Sequence, residues 1–319
     1  MGKEKISEKS SLKKSAYKSR KKQQSDASRE TALKKNRPLE LSKKKNSIKE
    51  PPMELSIKEI KELQIEILDY IDKLCRDNTI HYSLAYGTLI GAVRHQGYIP
   101  WDDDLDIMML REDYERFLKV FRESIHPDYI SVNYENAWFS WTKICNSRTR
   151  IEEDIDYHIK DYGVWVDIFP YDEIPEASSK ESKRFRKRLD LMKRMAQYRV
   201  LGYKHMRLRG PVSAAAFALA HTAMLPLPVS FWGTMWNRYV KKYAGQNTGY
   251  CAFPSIYPHE NCVINKEVFD EYTELPFEGK KYMSVRDYDN YLTTIYGDYM
   301  QLPPPDQRIS RHSYRAYWK

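Results

Sequence analysis

Acidic residues are concentrated in one short segment, residues 86–107, which reads YGTLIGAVRHQGYIPWDDDLDI. Asp104 and Asp106 stand two positions apart, and Asp102 and Asp103 come directly before them. Carboxylate oxygens are ligands that Mg²⁺ prefers, and the ion usually takes its remaining ligands from water and substrate phosphates. The segment is therefore a candidate metal site that acts on a phosphate compound.

The spacing of these carboxylates indicates a strand over residues 105–109. Side chains alternate between the two faces of a strand, so Asp104 and Asp106 would share a face while Leu105 and Ile107 face the core. Carboxylates on one face repel each other, and a divalent cation between them, Mg²⁺ or Mn²⁺, would offset that repulsion. A run of aspartates is also common in a solvated turn or helix cap, but such a run does not need to be followed by apolar residues, as this one is.

A third carboxylate, Asp167, lies in a second apolar run over residues 163–169, which Pro170 is expected to end because proline cannot continue a strand ladder. If the two strands are neighbours, Asp104, Asp106 and Asp167 converge, which is enough for one or two Mg²⁺ ions. Asp167, Asp102 or Asp103 could then act as the general base, and the sequence does not choose among them.

A phosphate cradle is predicted just before the acidic segment. Gly87 and Thr88 are expected to turn the chain from a strand over residues 80–86 into a short helix that ends near His95. Glycine allows close approach of a phosphate, and a helix N-terminus offers unpaired N–H groups to it. Arg94 is a further candidate phosphate donor.

The remaining elements that must position these residues are read from periodicity and caps. Apolar residues at helical spacing predict a helix over residues 57–78, opened by a capping box of Ser56 and Glu59. A second amphipathic helix is predicted over residues 111–124. Shorter strands are predicted over residues 129–134 and 140–146.

The positive charge of the chain is confined to its first residues. Residues 1–50 contain 17 lysine and arginine residues against six acidic ones, a net charge of +11, whereas the whole chain carries +9, so the rest sums to −2. A tail of this composition cannot bury enough apolar surface to fold, and we expect residues 1–52 to be a disordered basic arm. Contact with an anionic lipid or nucleic acid is the alternative for the arm; for the protein as a whole we expect no nucleic-acid partner.

Four scattered cysteines predict reduced thiols and a cytosolic setting rather than a disulfide framework. The first twenty residues contain no apolar core typical of a signal peptide.

The chain is predicted to have a catalytic core over residues 53–177, a helical insertion over residues 178–245, and a C-terminal part of the catalytic domain over residues 246–319. The insertion begins with a basic helical stretch and continues into an apolar run, residues 211–237, that Pro226 and Pro228 break. Two apolar segments are expected there instead of one transmembrane helix. They could form a buried subdomain or a contact with the membrane surface.

These blocks resemble the LicD family, whose relatives include fukutin and the fukutin-related protein. The resemblance rests on GTLIGAVRHQGYIPWDDDLDI, on the Thr142-Lys143-Ile144 segment, on GVWVDIFP from residue 163, and on a C-terminal signature over residues 277–304. It covers roughly residues 57–310 and excludes the basic tail. It implies an α/β (α+β) nucleotidyltransferase-like mixed sheet with flanking helices and a helical insertion.

The resemblance also implies an activity and a set of site residues. Relatives move a phospho-alcohol from a CDP-activated donor to a hydroxyl of a glycan, such as a teichoic acid or lipopolysaccharide precursor, and release CMP. Phosphocholine is the favoured group here, with ribitol or glycerol as alternatives. The family pattern assigns metal ligation to Asp104, Asp106 and Asp167. Candidate substrate contacts are Gly87, Thr88, Arg94, His95, Trp101 and Lys143.

Two further functions stay open at this point. A true nucleotidyltransferase would use the same metal site but attack the α-phosphorus, and a non-catalytic membrane scaffold would use only the basic and apolar segments. For a choline donor an aromatic cage is expected, with candidates Tyr98, Trp101, Trp138, Trp141, Tyr157 and Trp165. The insertion predicts a cytoplasmic enzyme held peripherally at the inner face of the cytoplasmic membrane, beside a lipid-linked acceptor.

Overall fold

A computed structural model describes residues 53–152, 159–176, 178–201, 210–255, 262–310 and 314–319. The predicted disordered tail, residues 1–52, and the cage candidate Tyr157 lie outside these described residues. The fold class is α/β, as predicted: a mixed sheet is flanked by helices, and most of the core lies between them.

Seven α-helices are described. They are α1 (Ile57–Asp77), α2 (Tyr86–His95), α3 (Arg111–Ser124), α4 (Lys180–Val200), α5 (Pro211–Met224), α6 (Ser230–Val240) and α7 (Tyr288–Tyr296). The predicted helix α1 is confirmed together with its capping box, in which the Ser56 hydroxyl accepts from the Glu59 N–H and the Glu59 carboxylate accepts from the Ser56 N–H. Helix α3 has the predicted bounds.

Eleven strands are described. They are β1 (Ser83–Leu84), β2 (Asp106–Leu110), β3 (Tyr129–Val132), β4 (Thr142–Asn146), β5 (Thr149–Glu152), β6 (Trp165–Glu173), β7 (Tyr250–Ala252), β8 (Ile264–Asn265), β9 (Tyr272–Phe277), β10 (Lys280–Val285) and β11 (Arg315–Trp318). The main sheet has the order β1-β2-β6-β4-β3, and β7 and β8 extend it beside the C-terminal end of β6. The pair β2–β6 is parallel and its other described pairs are antiparallel, so the sheet is mixed.

The central strands are buried on both faces. All residues of β4, and four of the five in β2, are buried, because α1 and α3 pack against the sheet. One apolar cluster runs from Ile67 on α1 to Tyr299 after α7, so the predicted catalytic core and the predicted C-terminal part share one hydrophobic core.

Three local predictions were wrong in detail. The strand expected over residues 80–86 is only two residues long, and Gly87 and Thr88 lie inside the first turn of α2 rather than in a turn before it. Strand β6 does not end at Pro170 but continues to Glu173. The proline is tolerated because the ladder to β4 ends at Ile168 and the ladder to β7 begins at Asp172, so its missing N–H faces a gap between two partners.

The helical insertion folds as two apolar segments separated by a break that contains Pro226 and Pro228, as predicted. Helices α4 and α6 pack on the end of β6 through a small apolar cluster that includes Ile174, Phe185 and Trp236. Helix α5 exposes much of its apolar surface, with Val212 84% and Leu219 75% accessible. Among the described residues, no helix is both long and apolar enough to cross a membrane.

Candidate active site

Three neighbouring strands bring three charged residues into one row across the sheet. Asp106 on β2 is the direct partner of Asp167 on β6, and Asp167 is the direct partner of Lys143 on β4. The expectation that the two acidic strands are neighbours is therefore confirmed. Because partner residues in adjacent strands point to the same face, the row combines two carboxylates and one ammonium group within the sheet.

Asp167 is held by three hydrogen bonds. Its Oδ1 accepts from the Trp141 indole at 2.6 Å, and its Oδ2 accepts from the Trp165 indole at 2.7 Å and from Lys143 Nζ at 2.8 Å. Lys143 is also buried, and its ammonium group lies 4.1 Å from the centre of the Trp165 ring. Each carboxylate oxygen has two lone pairs, so these bonds leave Asp167 one lone pair on Oδ1 for any further ligand.

Asp106 is buried at the start of β2, and its backbone N–H donates to the Thr88 hydroxyl at 2.9 Å. Burial raises the pKa of the Asp106 carboxyl well above its ordinary value, and the neighbouring carboxylates of Asp104, Asp167 and Asp102 raise it further, against a smaller lowering by Lys143. Thr88 is itself buried, and in this position its hydroxyl fixes the start of the acidic strand.

Asp102, Asp103 and Asp104 bring one carboxylate oxygen each to within 4.8 Å of one another. Asp103 Oδ2 accepts from the Ser310 hydroxyl at 2.7 Å. Asp102 packs against Gly87: a β-carbon at that position would lie 2.6 Å from Asp102 Oδ2. Gly87 therefore leaves space for this carboxylate. Its φ is not positive, so this position does not use the conformational freedom expected from the sequence.

A cleft of about 850 Å³ opens beside these carboxylates. The N-terminal part of α2 forms one wall, and the segment after α7 forms the other. Asp102, Asp104 and Asp106 line the cleft, and so do the predicted residues Gly87, Arg94 and Trp101. Thr88, His95, Asp103, Lys143 and Asp167 are not among its lining residues.

Arg94 crosses from α2 to the opposite wall, where its guanidinium donates to the carbonyl of Tyr299 at 2.6 Å. Its Nε also donates to His95 Nε2 at 3.0 Å. Burial and the nearby Arg308 lower the pKa of Arg94, and burial and Arg94 lower the pKa of His95. Two guanidinium groups at one cleft favour an anion. His95 does not line the cleft, but it contacts Arg94, which does.

Arg308 is a cleft residue that the sequence reasoning missed. Its guanidinium lies 5.6 Å from the centre of the Trp101 ring and donates to the Pro303 carbonyl at 2.8 Å. It follows a run of three prolines at the end of the C-terminal signature, and no spacing pattern relates it to Arg94. Only a search for charges near that signature could have suggested it.

A second cavity of about 480 Å³ lies on the other side of Tyr86, which lines both spaces. Its walls are mainly aromatic and come from the β3–β4 connection, from β6, from the segment after β7, and from α4 and α6. We call it the aromatic cavity. Its lining residues are Tyr86, Trp138, Phe139, Trp141, Phe169, Met192, Lys193, Ala196, Trp232, Trp236, Phe253 and Ser255.

Of the aromatic residues expected to form a cage, Trp138 and Trp141 line this cavity, whereas Trp101 lines the acidic cleft. Tyr98 is buried beside Phe277, and its hydroxyl donates to Gln64 at 2.9 Å. Trp165 stacks on Tyr162 and binds Asp167. The sequence reasoning missed Trp232 and Trp236, which it had grouped with the apolar run of the insertion.

Comparison with known proteins identifies the family. Over 275 residues, 82% of this chain and 98% of the relative, the sequence is 31% identical to the lipopolysaccharide cholinephosphotransferase LicD of Haemophilus influenzae. The chain belongs to the LicD family. Residues 79–207 match the family described as LicD/FKTN/FKRP, nucleotidyltransferase domain. An uncharacterized protein of Rickettsia prowazekii is 35% identical over 104 residues, which is 33% of this chain and 37% of that protein.

The part of the chain that matches the LicD family description contains every site residue predicted above. The family resemblance inferred from the sequence is therefore confirmed. The H. influenzae relative is named as an enzyme that transfers phosphocholine to lipopolysaccharide. The candidate site of this chain is therefore compared with that of an enzyme that transfers phosphocholine to a glycan.

Proposed function

We propose that this protein is a phosphotransferase that requires Mg²⁺ or Mn²⁺ and moves a phospho-alcohol, preferentially phosphocholine, from a CDP-activated donor to a glycan hydroxyl. The acceptor would be a precursor of a cell-surface glycan such as lipopolysaccharide or teichoic acid, and CMP would be released. The observation that carries the proposal is the cleft itself, in which three carboxylates and two guanidinium groups face one space of substrate size. The activity for which the H. influenzae relative is named supports phosphocholine as the transferred group and a glycan as the acceptor.

The residues present fit a divalent cation. Asp102, Asp103 and Asp104 offer oxygen atoms within 4.8 Å of one another, and the pKa of the buried Asp106 carboxyl is raised by its burial and by the neighbouring carboxylates. Mg²⁺ takes hard oxygen ligands, and when bound it would neutralise charge on a donor diphosphate. We propose Asp104 and Asp106 as its main ligands. Asp167, predicted as the third ligand from the sequence, has one lone pair left to contribute.

The other cleft residues have distinct roles in this proposal. Arg94 and Arg308 bind oxygens of the diphosphate as charge-assisted donors. The acceptor hydroxyl attacks the distal phosphorus, its proton passes to a carboxylate, a new P–O bond forms, and the bond from that phosphorus to the CMP oxygen breaks. Among the candidate bases, Asp102 is favoured because it lines the cleft, whereas Asp103 and Asp167 do not.

The location we propose is the inner face of the cytoplasmic membrane, where the acceptor would be lipid-linked. Helix α4 exposes Lys183, Arg184, Lys187 and Arg188, and the neighbouring α5 exposes apolar side chains. Each basic residue near an anionic surface contributes about 1 kcal/mol of attraction, and inserted apolar side chains add to it. This pattern supports a peripheral contact between the insertion and the membrane.

The experiment that tests the activity is incubation with CDP-choline, CDP-ribitol and CDP-glycerol, with added Mg²⁺ or with EDTA, and detection of CMP. We expect CMP from CDP-choline in Mg²⁺ and its loss in EDTA. Release of pyrophosphate from CTP would instead indicate a nucleotidyltransferase that attacks the α-phosphorus. Membrane binding without turnover of any of these compounds would indicate a scaffold.

A further inference from the structure

The aromatic cavity has no role in the metal site, but it adjoins that site closely. Tyr86 separates it from the acidic cleft and lines both. Trp141 lines the cavity and donates its indole N–H to Asp167, the partner of Asp106 in the sheet. A group bound in the cavity would therefore lie next to a diphosphate bound in the cleft.

The cavity walls favour a compact cation of low hydration. Four tryptophans, three phenylalanine rings and Tyr86 face one space of about 480 Å³. The negative π-faces of such rings attract cations, most strongly those of Trp, and quaternary ammonium groups are the ligands that aromatic cages take. A small ammonium group that keeps strong hydrogen bonds to water would lose them there without replacement.

One charged group in the cavity favours an anion as well. Among the described side chains that line the cavity, only that of Lys193 is charged. Its ammonium group would repel an isolated cation. A ligand that carries a negative charge next to its ammonium group would compensate that repulsion.

We infer that the aromatic cavity is the binding site for the phosphocholine group of the donor and sets the preference for choline over other alcohols. The rings hold the trimethylammonium group, and Lys193 donates to a phosphate oxygen. A zwitterion suits both the rings and the lysine, whereas free choline meets the lysine charge without compensation. This inference rests on the proposed function, because it names the donor subsite of that reaction.

Tyr86 has a special place in this arrangement. Its backbone has φ +46°, in the left-handed region that is costly for a large side chain. Its hydroxyl accepts from the Tyr171 hydroxyl at 3.0 Å, which contacts that of Tyr291 at the same distance. The strained backbone and these contacts hold the ring between the two spaces, where it would separate the alcohol from the nucleotide.

The test measures binding without turnover, so it does not depend on the activity. Phosphocholine is titrated while the intrinsic tryptophan fluorescence is recorded, beside 3,3-dimethylbutyl phosphate, in which carbon replaces the charged nitrogen, and beside free choline. We expect phosphocholine to bind about tenfold more tightly than either comparison compound. Equal affinity for the uncharged isostere, or no binding of phosphocholine, would overturn the inference.

Variants separate the cavity from the rest of the site. Trp232→Leu should weaken phosphocholine binding about tenfold or more, and Trp232→Phe, which keeps a ring but loses the N–H, should weaken it less. Trp318→Leu, the same change on β11 outside the cavity, is the matched control, and melting curves verify that each variant folds. Unchanged phosphocholine affinity in the folded Trp232→Leu variant would place the site elsewhere. If phosphocholine binds as expected but no CDP-alcohol releases CMP, the proposed reaction fails and the cavity assignment stands.

Discussion

Asp106 and Asp167 are direct partners across the parallel strands β2 and β6, although sixty residues and four further elements separate them in the chain. Lys143 extends this row from the next strand and forms an ion pair with Asp167. The two carboxylates have different environments. Asp167 is held by three hydrogen-bond donors, whereas Asp106 is a buried carboxyl with a raised pKa and lines the open cleft.

The first prediction concerns Asp104 and Asp106. Asn at either position should lower CMP release from CDP-choline by at least ~10²-fold, because a charge positioned for phosphoryl transfer is lost. Added Mg²⁺ should raise the melting temperature of the wild type but not that of Asp106→Asn, because ligand binding stabilises only the form that binds it. Asp77→Asn, at an exposed position that ends α1, is the control. Activity within a few-fold of wild type in Asp104→Asn or Asp106→Asn would contradict their role as ligands.

The second prediction concerns the buried pair of Lys143 and Asp167, whose side chains are both 9% exposed. Lys143→Met or Asp167→Asn should each lower the free energy of unfolding by about 3–5 kcal/mol, because each leaves a buried charge without its partner. The double variant should lose less than the sum of the two single losses, as measured by urea unfolding. The exposed pair of Lys73 and Asp77 is the control, and Lys73→Met should cost less than about 1 kcal/mol. Additive losses in the double variant would show that the two residues do not interact.

The third prediction concerns Arg94. Arg94→Lys should lower kcat/KM for CDP-choline by about tenfold or more, because a point charge cannot reproduce the forked donor that also reaches the Tyr299 carbonyl. The loss should appear mainly in KM for the donor. Arg286→Lys, at an exposed residue paired with Glu271, is the matched control. If the donor kinetics of Arg94→Lys equal those of wild type, Arg94 only fastens the C-terminal segment to α2.

The fourth prediction concerns the membrane. The protein should float with vesicles that contain anionic lipid, and added salt should weaken this binding because screening reduces the attraction of basic residues. Replacing the exposed Val212, Leu219 and Leu225 by Ser should abolish flotation, whereas Ile125→Ser, at an equally exposed position after α3, should not. Phe217 is a poor probe because it is buried against Tyr198 and His221. Salt-resistant binding to neutral vesicles would contradict the electrostatic part.

Much of the local structure follows from the sequence because its causes are local. The capping box of Ser56 and Glu59 provides hydrogen-bond acceptors for two backbone N–H groups at the N-terminus of α1 that would otherwise be unpaired. Both residues lie within one turn of the chain. The break after α5 follows from Pro226 and Pro228, since proline fixes its own backbone and removes a donor. The acidic segment is likewise contiguous, so its alternation is visible without any knowledge of the fold.

The site as a whole depends on contacts that no local pattern encodes. The sequence offered Asp167 as a possible partner of Asp106, but only the order of the sheet makes them neighbours and adds Lys143 to the row. Sequence periodicity likewise did not show that β6 continues through Pro170, because the proline is tolerated only where its two partner ladders leave a gap.

The sequence by itself determined the family, the acidic motif and the helices α1 and α3. The tertiary structure decided which side chains share a space: Arg308 reaches the cleft of Arg94, and the insertion brings Trp232 and Trp236 to the aromatic cavity. The physical reason is the distance along the chain over which each kind of interaction acts. Caps, turns and periodicity act within a few residues, whereas a cavity forms only after distant segments pack, and that packing depends on burial summed over the whole core.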